Sequence, residues 1–108
     1  FVQKMMRLFS NGDANLDTSL AKVTLRLLSI HYQEILVGDN KELLSKSKTG
    51  KFPILETENG HLIFESTAIM KYLARKQPIF YGANDLETVE VDSWIDFFST
   101  SILPMTKQ

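Results

Sequence analysis

The chain has 108 residues and a formal charge of −1 at pH 7, with 44% hydrophobic residues, 23% charged residues and no cysteine. This length and hydrophobic fraction indicate one ordinary globular domain and exclude a disordered chain, while the missing thiol excludes disulfides, cysteine metal clusters and cysteine nucleophiles. The near-neutral charge provides no field for recruiting nucleic acid or an anionic membrane, and no apolar run approaches the roughly 20 residues of a membrane helix.

The first elements in chain order are a strand and a helix. Residues 5–9 alternate in polarity and precede the turn-forming run 10–15, which predicts a short strand followed by a loop. Asp17 or Thr18 is the predicted cap of the helix that follows. Apolar residues recur along this helix at spacings of three and four. The predicted buried face contains Leu20, Val23, Leu27 and Ile30.

A second strand and a short connector follow. The compact apolar run 34–37 predicts a strand that is buried on both faces. Because a long helix separates the two strands, they are expected to pair in parallel in a β-α-β unit. Residues 41–47 have room for about two helical turns and form a short connector.

The middle of the chain predicts a β-hairpin and a third helix. Residues 52–56 and 61–64 flank an Asn-Gly pair, which is the strongest short-range hairpin signal. Pro53 is placed at the first position of its strand, where a missing N–H is tolerated. Ser66 is the predicted N-cap of a helix over residues 66–76.

The last part of the chain predicts a linker and a long amphipathic helix. Residues 81–83 have the composition of a linker, and Asn84 and Glu87 are placed as a capping box for a helix that extends to Leu103. By their spacing, Trp94, Phe97 and Phe98 are assigned mainly to the core. The complete order of elements predicts a thioredoxin-like α/β sandwich, with a final helix that requires a partner.

Residues 51–55, 59–69 and 72–74 resemble the N-terminal domain of the glutathione S-transferase superfamily. The resemblance implies that residues 1–80 form this thioredoxin-like domain. It also implies that residues 81–108 form a linker and the first helix of an incomplete, all-helical C-terminal domain. Within the superfamily, the sequence is most similar to domains appended to cytosolic methionyl- and glutamyl-tRNA synthetases, and it also resembles the gamma subunit of elongation factor 1.

The resemblance implies a glutathione-like site. In the superfamily the strand proline is usually cis and exposes the backbone of the preceding residue to the cysteinyl part of glutathione. The acidic-Ser pair holds the γ-glutamyl end. The residues at these positions are Phe52, Pro53, Glu65 and Ser66. Ser66 at a helix start could bind a carboxylate, but the favoured explanation of a serine there is a cap, so glutathione is a possible ligand only.

Catalysis would require a hydroxyl beside the first strand to stabilise a bound thiolate. Ser10 and Ser19 are the candidates for this role, and the alternative is that they are ordinary turn or cap serines. Because that alternative is favoured, no catalytic residue is assigned.

Metal and RNA sites are weakly indicated. His31 and His61 have no partner at ligand spacing, so no metal site is predicted. Lysines cluster around the short connector and could contact RNA, but lysines interleaved with serines usually form a solvated face. These lysines are Lys41, Lys46, Lys48 and Lys51.

Four apolar residues lie off the predicted buried stripes and are candidates for an interface: Met70, Ala74, Val89 and Phe97. The leading hypothesis is therefore a non-catalytic, cytoplasmic protein-interaction domain of an aminoacyl-tRNA synthetase or related translation factor. Its expected partners are other glutathione-transferase-like domains, in synthetases, scaffold proteins or elongation-factor subunits, or a second copy of itself. The alternative is a fragment of a glutathione S-transferase that conjugates glutathione to electrophiles.

Overall fold

The computed structural model describes residues 5–12, 15–37, 41–47 and 50–107. Its strands are β1 (Met6–Ser10), β2 (Tyr32–Leu36), β3 (Ile54–Glu56) and β4 (Leu62–Phe64). Its α-helices are α1 (Leu16–Leu27), α2 (Lys41–Lys46), α3 (Ser66–Ala74), α4 (Pro78–Tyr81) and α5 (Asp85–Phe97). A π-helical turn at Phe98–Ile102 and a 3₁₀ segment at Leu103–Lys107 continue α5.

The four strands form one mixed sheet in the order β2-β1-β3-β4. β1 pairs in parallel with β2, and β3 pairs antiparallel with both β1 and β4. The predicted β-α-β unit and hairpin are confirmed. Helices α1 and α3 share one buried cluster against this sheet, which contains Met6, Leu8, Ala21, Leu25, Leu28, Leu55, Ile69 and Leu73.

The prediction that the second strand is buried on both faces is wrong. β2 is an edge strand, and its residues are either half-buried or exposed, without one fully buried position. Ile35 is half-buried, whereas Leu36 is exposed. The apolar run indicated a strand correctly, but strand order in the sheet decides how much of it is covered.

The buried face of α1 also differs from the prediction. Thr18, Ala21 and Leu25 are buried, whereas Leu27 is 68% exposed. The predicted and the observed buried residues both recur at helical spacing, so the spacing alone did not distinguish the face of α1 that meets the sheet. The cap differs as well, because Asn15 Oδ1 accepts the hydrogen bond from the Thr18 N–H at 2.8 Å.

Helix α3 begins differently from the prediction. Its N-cap is Glu65, which has a positive φ of 76° and forms no side-chain capping bond. Ser66 is the first helical residue, so the prediction of a Ser66 cap is wrong. The Ser66 hydroxyl is consequently available for a tertiary contact.

The predicted linker at residues 81–83 begins inside helix α4. Pro78 occupies the first turn of this helix and Tyr81 ends it. Tyr81 is buried, and its hydroxyl donates a hydrogen bond to the Asp92 carboxylate of α5. The predicted domain boundary after residue 80 therefore falls within α4, and the division into two domains stays a prediction.

The environment of Tyr81 makes stability sensitive to alkaline pH. Burial, reinforced by the hydrogen bond to Asp92, raises the pKa of the Tyr81 hydroxyl above its ordinary value of 10.0. Above about pH 10, an unfolded tyrosine ionises while folded Tyr81 keeps its proton, so stability falls as the pH rises. Urea denaturation between about pH 9 and pH 11 should therefore show a smaller loss of stability for Tyr81→Phe than for the wild type. Equal losses in both proteins would contradict this account.

Helix α5 is capped as predicted but packs less than predicted. Asn84 Oδ1 accepts from the Glu87 N–H at 3.0 Å, and Glu87 Oε1 accepts from the Ala83 N–H at 2.8 Å. None of the residues of α5 is fully buried, and Trp94 is 67% exposed. The assignment of Trp94 to the core is wrong, because the partly covered side of the helix contains Val91, Asp92 and Ile95 and leaves Trp94 exposed.

Among the residues that the structure describes, no helix combines the length and the apolarity needed to span a bilayer.

Candidate functional site at the carboxyl end of β1

The sheet topology brings three strand ends and two helix starts to one end of the sheet. Because β3 runs antiparallel to β1 and β4 runs antiparallel to β3, the start of β3 lies at the same end as the finishes of β1 and β4. Helices α1 and α3 both begin at this end, directly after their connections from β1 and β4. The segment directly before β3 supplies Phe52 and Pro53, so the prediction that Pro53 is the first residue of its strand is wrong, because β3 begins at Ile54. The N-cap and the first residue of α3 are Glu65 and Ser66.

The geometry of these four residues agrees with the site implied by the sequence. The Phe52–Pro53 peptide bond is cis, as the resemblance implied. Pro53 is buried and Phe52 is half-buried. Glu65 is exposed in a positive-φ conformation, while Ser66 is only 4% exposed. The structure thus places the predicted residues at adjacent positions around one cleft.

Two cavities of about 310 Å³ and about 40 Å³ form this cleft, and they share Asp17, Glu65 and Ser66. The smaller cavity is completed by Lys51, Phe52 and Pro53. The larger cavity is completed by Thr67, Ser99, Leu103 and Pro104. The last three residues reach the cleft because Leu103 is buried and the 3₁₀ segment contacts α1.

Asp17 is a residue of the cleft that the sequence analysis did not assign to the candidate site. It lies in the first turn of α1, and its Oδ1 accepts a hydrogen bond from the Ser66 hydroxyl at 2.8 Å. These two residues are 49 positions apart in the sequence. The sequence analysis considered Asp17 only as a helix cap, so no sequence signal pointed to Ser66.

Both candidate serines donate hydrogen bonds within the chain and lie outside the two cavities. Ser10 is the last residue of β1 and is fully buried, and its hydroxyl donates to Glu34 Oε2 at 3.2 Å. Ser19 is exposed, and its hydroxyl donates to the Asn15 carbonyl oxygen at 3.0 Å. Neither is among the described residues that line the two cavities. The expectation that Ser10 belongs to the loop after the strand is wrong, because β1 extends through it.

Of the lysines considered for RNA contact, Lys51 lines the smaller cavity of the cleft. Lys46 and Lys51 are exposed, whereas Lys48 and the side chain of Lys41 lie outside the described residues. Among the described residues, no group of three His, Asp or Glu side chains is arranged to hold a metal ion.

The interface candidates lie on α3 and α5, which an ion-pair cluster connects. Lys71 Nζ lies 3.2 Å from Asp96 Oδ1 and 3.9 Å from Asp92 Oδ1. Met70 and Ala74 are half-buried on α3. On α5, Val89 is 60% exposed and Phe97 is 51% exposed.

The fold and the site together define a thioredoxin-like α/β domain with a cis-proline and acidic-Ser cleft. Residues 18–84 match the family model of the glutathione S-transferase N-terminal domain, and the chain belongs to this family. Of the solved structures, that of Ure2p in complex with glutathione has a TM-score of 0.84 at 22% identity, and the match covers 97% of this chain and 53% of that chain. At this identity, the likeness concerns the fold.

Two curated relatives represent the range of similar proteins. Elongation factor 1-gamma 1 of Oryza sativa subsp. japonica is 36% identical over 78 residues, which cover 69% of this chain and 18% of the relative. A glutathione S-transferase-like protein of Gibberella moniliformis is 33% identical over 76 residues, which cover 68% of this chain and 34% of the relative. The chain thus matches about a fifth to a third of the length of these proteins.

Proposed function

We propose that this chain is a non-catalytic docking domain of a translation factor of the elongation factor 1-gamma type, and that it works in the cytoplasm. The solvent face of α5 carries this proposal. Trp94 and Phe97 pack edge to face, with ring centroids 6.1 Å apart, and both are more than half exposed. Exposed aromatic pairs of this kind are typical of the central contacts in protein interfaces.

The interface contains residues from both helices. Val89 and Phe97 supply exposed apolar area on α5, and Met70 and Ala74 extend it on α3. Lys71 holds the two helices in register through its ion pairs with Asp92 and Asp96. The proposed partner is another glutathione-transferase-like domain, from an elongation-factor subunit, a synthetase, a scaffold protein or a second copy of this chain.

The arrangement of hydroxyl groups supports a non-catalytic role. The hydroxyls that line the larger cavity belong to Ser66, Thr67 and Ser99, and that of Ser66 is engaged by Asp17. Ser10, the candidate nearest the first strand, is enclosed and bound to Glu34. A bound thiolate would therefore not meet the hydroxyl at the end of β1 that the chemistry requires.

The parent could instead be an aminoacyl-tRNA synthetase, as the sequence analysis expected. The elongation factor is favoured because the Oryza relative is 36% identical over 69% of this chain. With either parent protein, the proposed docking surface would bind another component of the translation machinery.

The test is affinity purification of the full-length protein from its own cells, with identification of the bound proteins by mass spectrometry. We expect an elongation-factor subunit, a synthetase or a synthetase-associated scaffold to copurify. Phe97→Asp should reduce the recovered partner at least about tenfold, because a carboxylate would be buried unpaired at the contact. The matched control is Ile79→Asp, which places the same charge on α4 at a position that is 86% exposed, and it should leave recovery unchanged.

Recovery of no translation protein would refute the proposed function. If a partner is recovered equally with the wild type and Phe97→Asp, the partner binds elsewhere and α5 is not the docking surface.

The second candidate function is glutathione transfer. It is favoured by the position of Phe52, Pro53, Glu65 and Ser66 around one cavity, and by the Gibberella relative. A conjugation assay of the full-length protein with glutathione and a chlorinated aromatic electrophile distinguishes the two functions. Turnover that Ser66→Ala abolishes would support the transferase, and the docking domain predicts no turnover above the uncatalysed rate.

A further inference from the structure

Two of the chain's five asparagines precede a glycine, at Asn11–Gly12 and Asn59–Gly60. An asparagine before glycine loses its side-chain ammonia readily, because glycine has no Cβ to hinder the approach of its backbone nitrogen to the asparagine Cγ. All four residues are exposed to solvent, which supplies the base and the water that the reaction needs. The sequence therefore contains two candidate deamidation sites, and the local structure decides between them.

The reaction requires the peptide group between the two residues to rotate. The glycine nitrogen loses its proton to solvent and forms a bond to the asparagine Cγ, and the bond from Cγ to Nδ2 breaks as ammonia leaves. Water then opens the cyclic imide. Attack at Cγ gives aspartate, and attack at the backbone carbonyl carbon gives isoaspartate, which has one additional methylene in the main chain. A structure that holds the glycine N–H in place therefore slows the first step.

The β3–β4 turn holds the glycine N–H of the second pair. The Gly60 N–H donates to the Thr57 carbonyl oxygen at 2.9 Å. Thr57 is itself fixed against His61, because its N–H donates to the His61 carbonyl oxygen at 2.9 Å and its Oγ1 accepts from the His61 N–H at 3.1 Å. Attack on Asn59 would have to break the Gly60 bond and distort a turn that the other two bonds close.

The connection from β1 to α1 does not hold the first pair in this way. β1 ends at Ser10, and Gly12 follows two residues later. Among the residues that the structure describes, none accepts a hydrogen bond from the Gly12 N–H. A Cβ at Gly12 would meet one described atom within 4 Å, the Leu36 Cδ2 at 3.9 Å. The peptide group before Gly12 therefore has room to rotate.

We propose that Asn11 is the site at which this chain undergoes spontaneous deamidation and isoaspartate formation, and that the β3–β4 turn protects Asn59. The new carboxylate lies just after β1, at the end of the sheet that carries the cleft. Isoaspartate at this position also lengthens the main chain next to Ser10, whose carbonyl oxygen accepts from the Val37 N–H at 3.0 Å. This inference concerns the covalent ageing of the chain and depends on neither of the functions considered above.

The experiment is incubation of the folded, full-length protein at mildly alkaline pH, followed by tryptic peptide mapping with mass spectrometry. Residues 8–22 and 52–71 are separate tryptic peptides, so the two pairs are measured independently. Fragmentation identifies the modified residue, and a protease that cleaves before aspartate but not before isoaspartate distinguishes the two products. Asn11 should react at least about fivefold faster than Asn59, the ratio that corresponds to the net strength of about one hydrogen bond.

The same incubation in concentrated guanidinium chloride is the matched control, because it removes the turn and leaves both Asn-Gly pairs chemically unchanged. The two rates should then agree within about twofold, since the unfolded chain retains little local structure. Thr57→Val removes the Oγ1 acceptor and should raise the rate at Asn59 without changing the rate at Asn11. Thermal denaturation verifies that this variant is folded, and the guanidinium comparison stands without it.

Three outcomes would overturn the proposal. The first is a rate at Asn59 in the folded chain that equals or exceeds the rate at Asn11. The second is the same ratio of rates in the folded and the unfolded chain, which would show that the turn protects nothing. The third is a folded chain in which Asn11 stays intact while both asparagines react in guanidinium chloride.

Discussion

Leu25→Ala should lower the free energy of unfolding by about 2–5 kcal/mol, which is the usual cost of truncating a fully buried leucine and leaving a cavity. Leu25 is 0% exposed and belongs to the cluster that α1 and α3 form against the sheet. The packing in such an interior is dense, so its neighbours recover only part of the lost contacts. Urea denaturation followed by circular dichroism measures the change.

Leu27→Ala is the matched control for this prediction. It is the same substitution on the same helix two residues away, and leucine and alanine have similar helix propensities. Because Leu27 is 68% exposed, we expect a change within about 0.5 kcal/mol. The helical spacing predicted that Leu27 lies on the buried face of α1. A larger loss of stability for Leu27→Ala than for Leu25→Ala would support that prediction and contradict the packing described above.

Gly82→Ala should destabilise the connection between α4 and α5 by about 2–5 kcal/mol, since it combines backbone strain with a steric clash. Gly82 has a φ of 101° and a ψ of 151°, a conformation that L side chains rarely adopt. A Cβ there would lie 2.7 Å from Glu87 Cβ, 2.9 Å from Glu87 C and 2.9 Å from Thr88 N. Two of these three atoms are backbone, so the first turn of α5 would have to move.

Gly60→Ala separates the two contributions to this effect. Gly60 lies in the β3–β4 turn with a φ of 85°, and a Cβ there would meet no atom within 4 Å. It therefore has backbone strain without a clash, and we expect a loss of about 1–2 kcal/mol. Thermal denaturation of the two variants provides the comparison. Equal losses would show that contact with α5 contributes nothing at Gly82.

The candidate site was predictable where its residues carry local signatures. Phe52 and Pro53 precede a recognisable hairpin, and Glu65 and Ser66 open a recognisable helix, so a resemblance on two short segments located all four. The contact between Asp17 and Ser66 was not predictable, because the two residues lie 49 positions apart in the sequence. Ser10 was misjudged for a related reason, since its burial depends on where β1 ends and on the position of Glu34 in the neighbouring strand.

By itself, the sequence determined the four strands, the helices α1, α2, α3 and α5, their order and the thioredoxin-like fold, because hydrophobic spacing, turn residues and capping groups act within a few residues. It did not predict α4. The absence of cysteine also excluded thiol chemistry by the chain's own side chains, since none of them can form a thiolate. Only the tertiary structure decided which stripe of α1 faces the core, that β2 lies at the sheet edge, and that Trp94 is exposed. These outcomes depend on which elements pack against each other, and packing is a long-range property that no local spacing encodes.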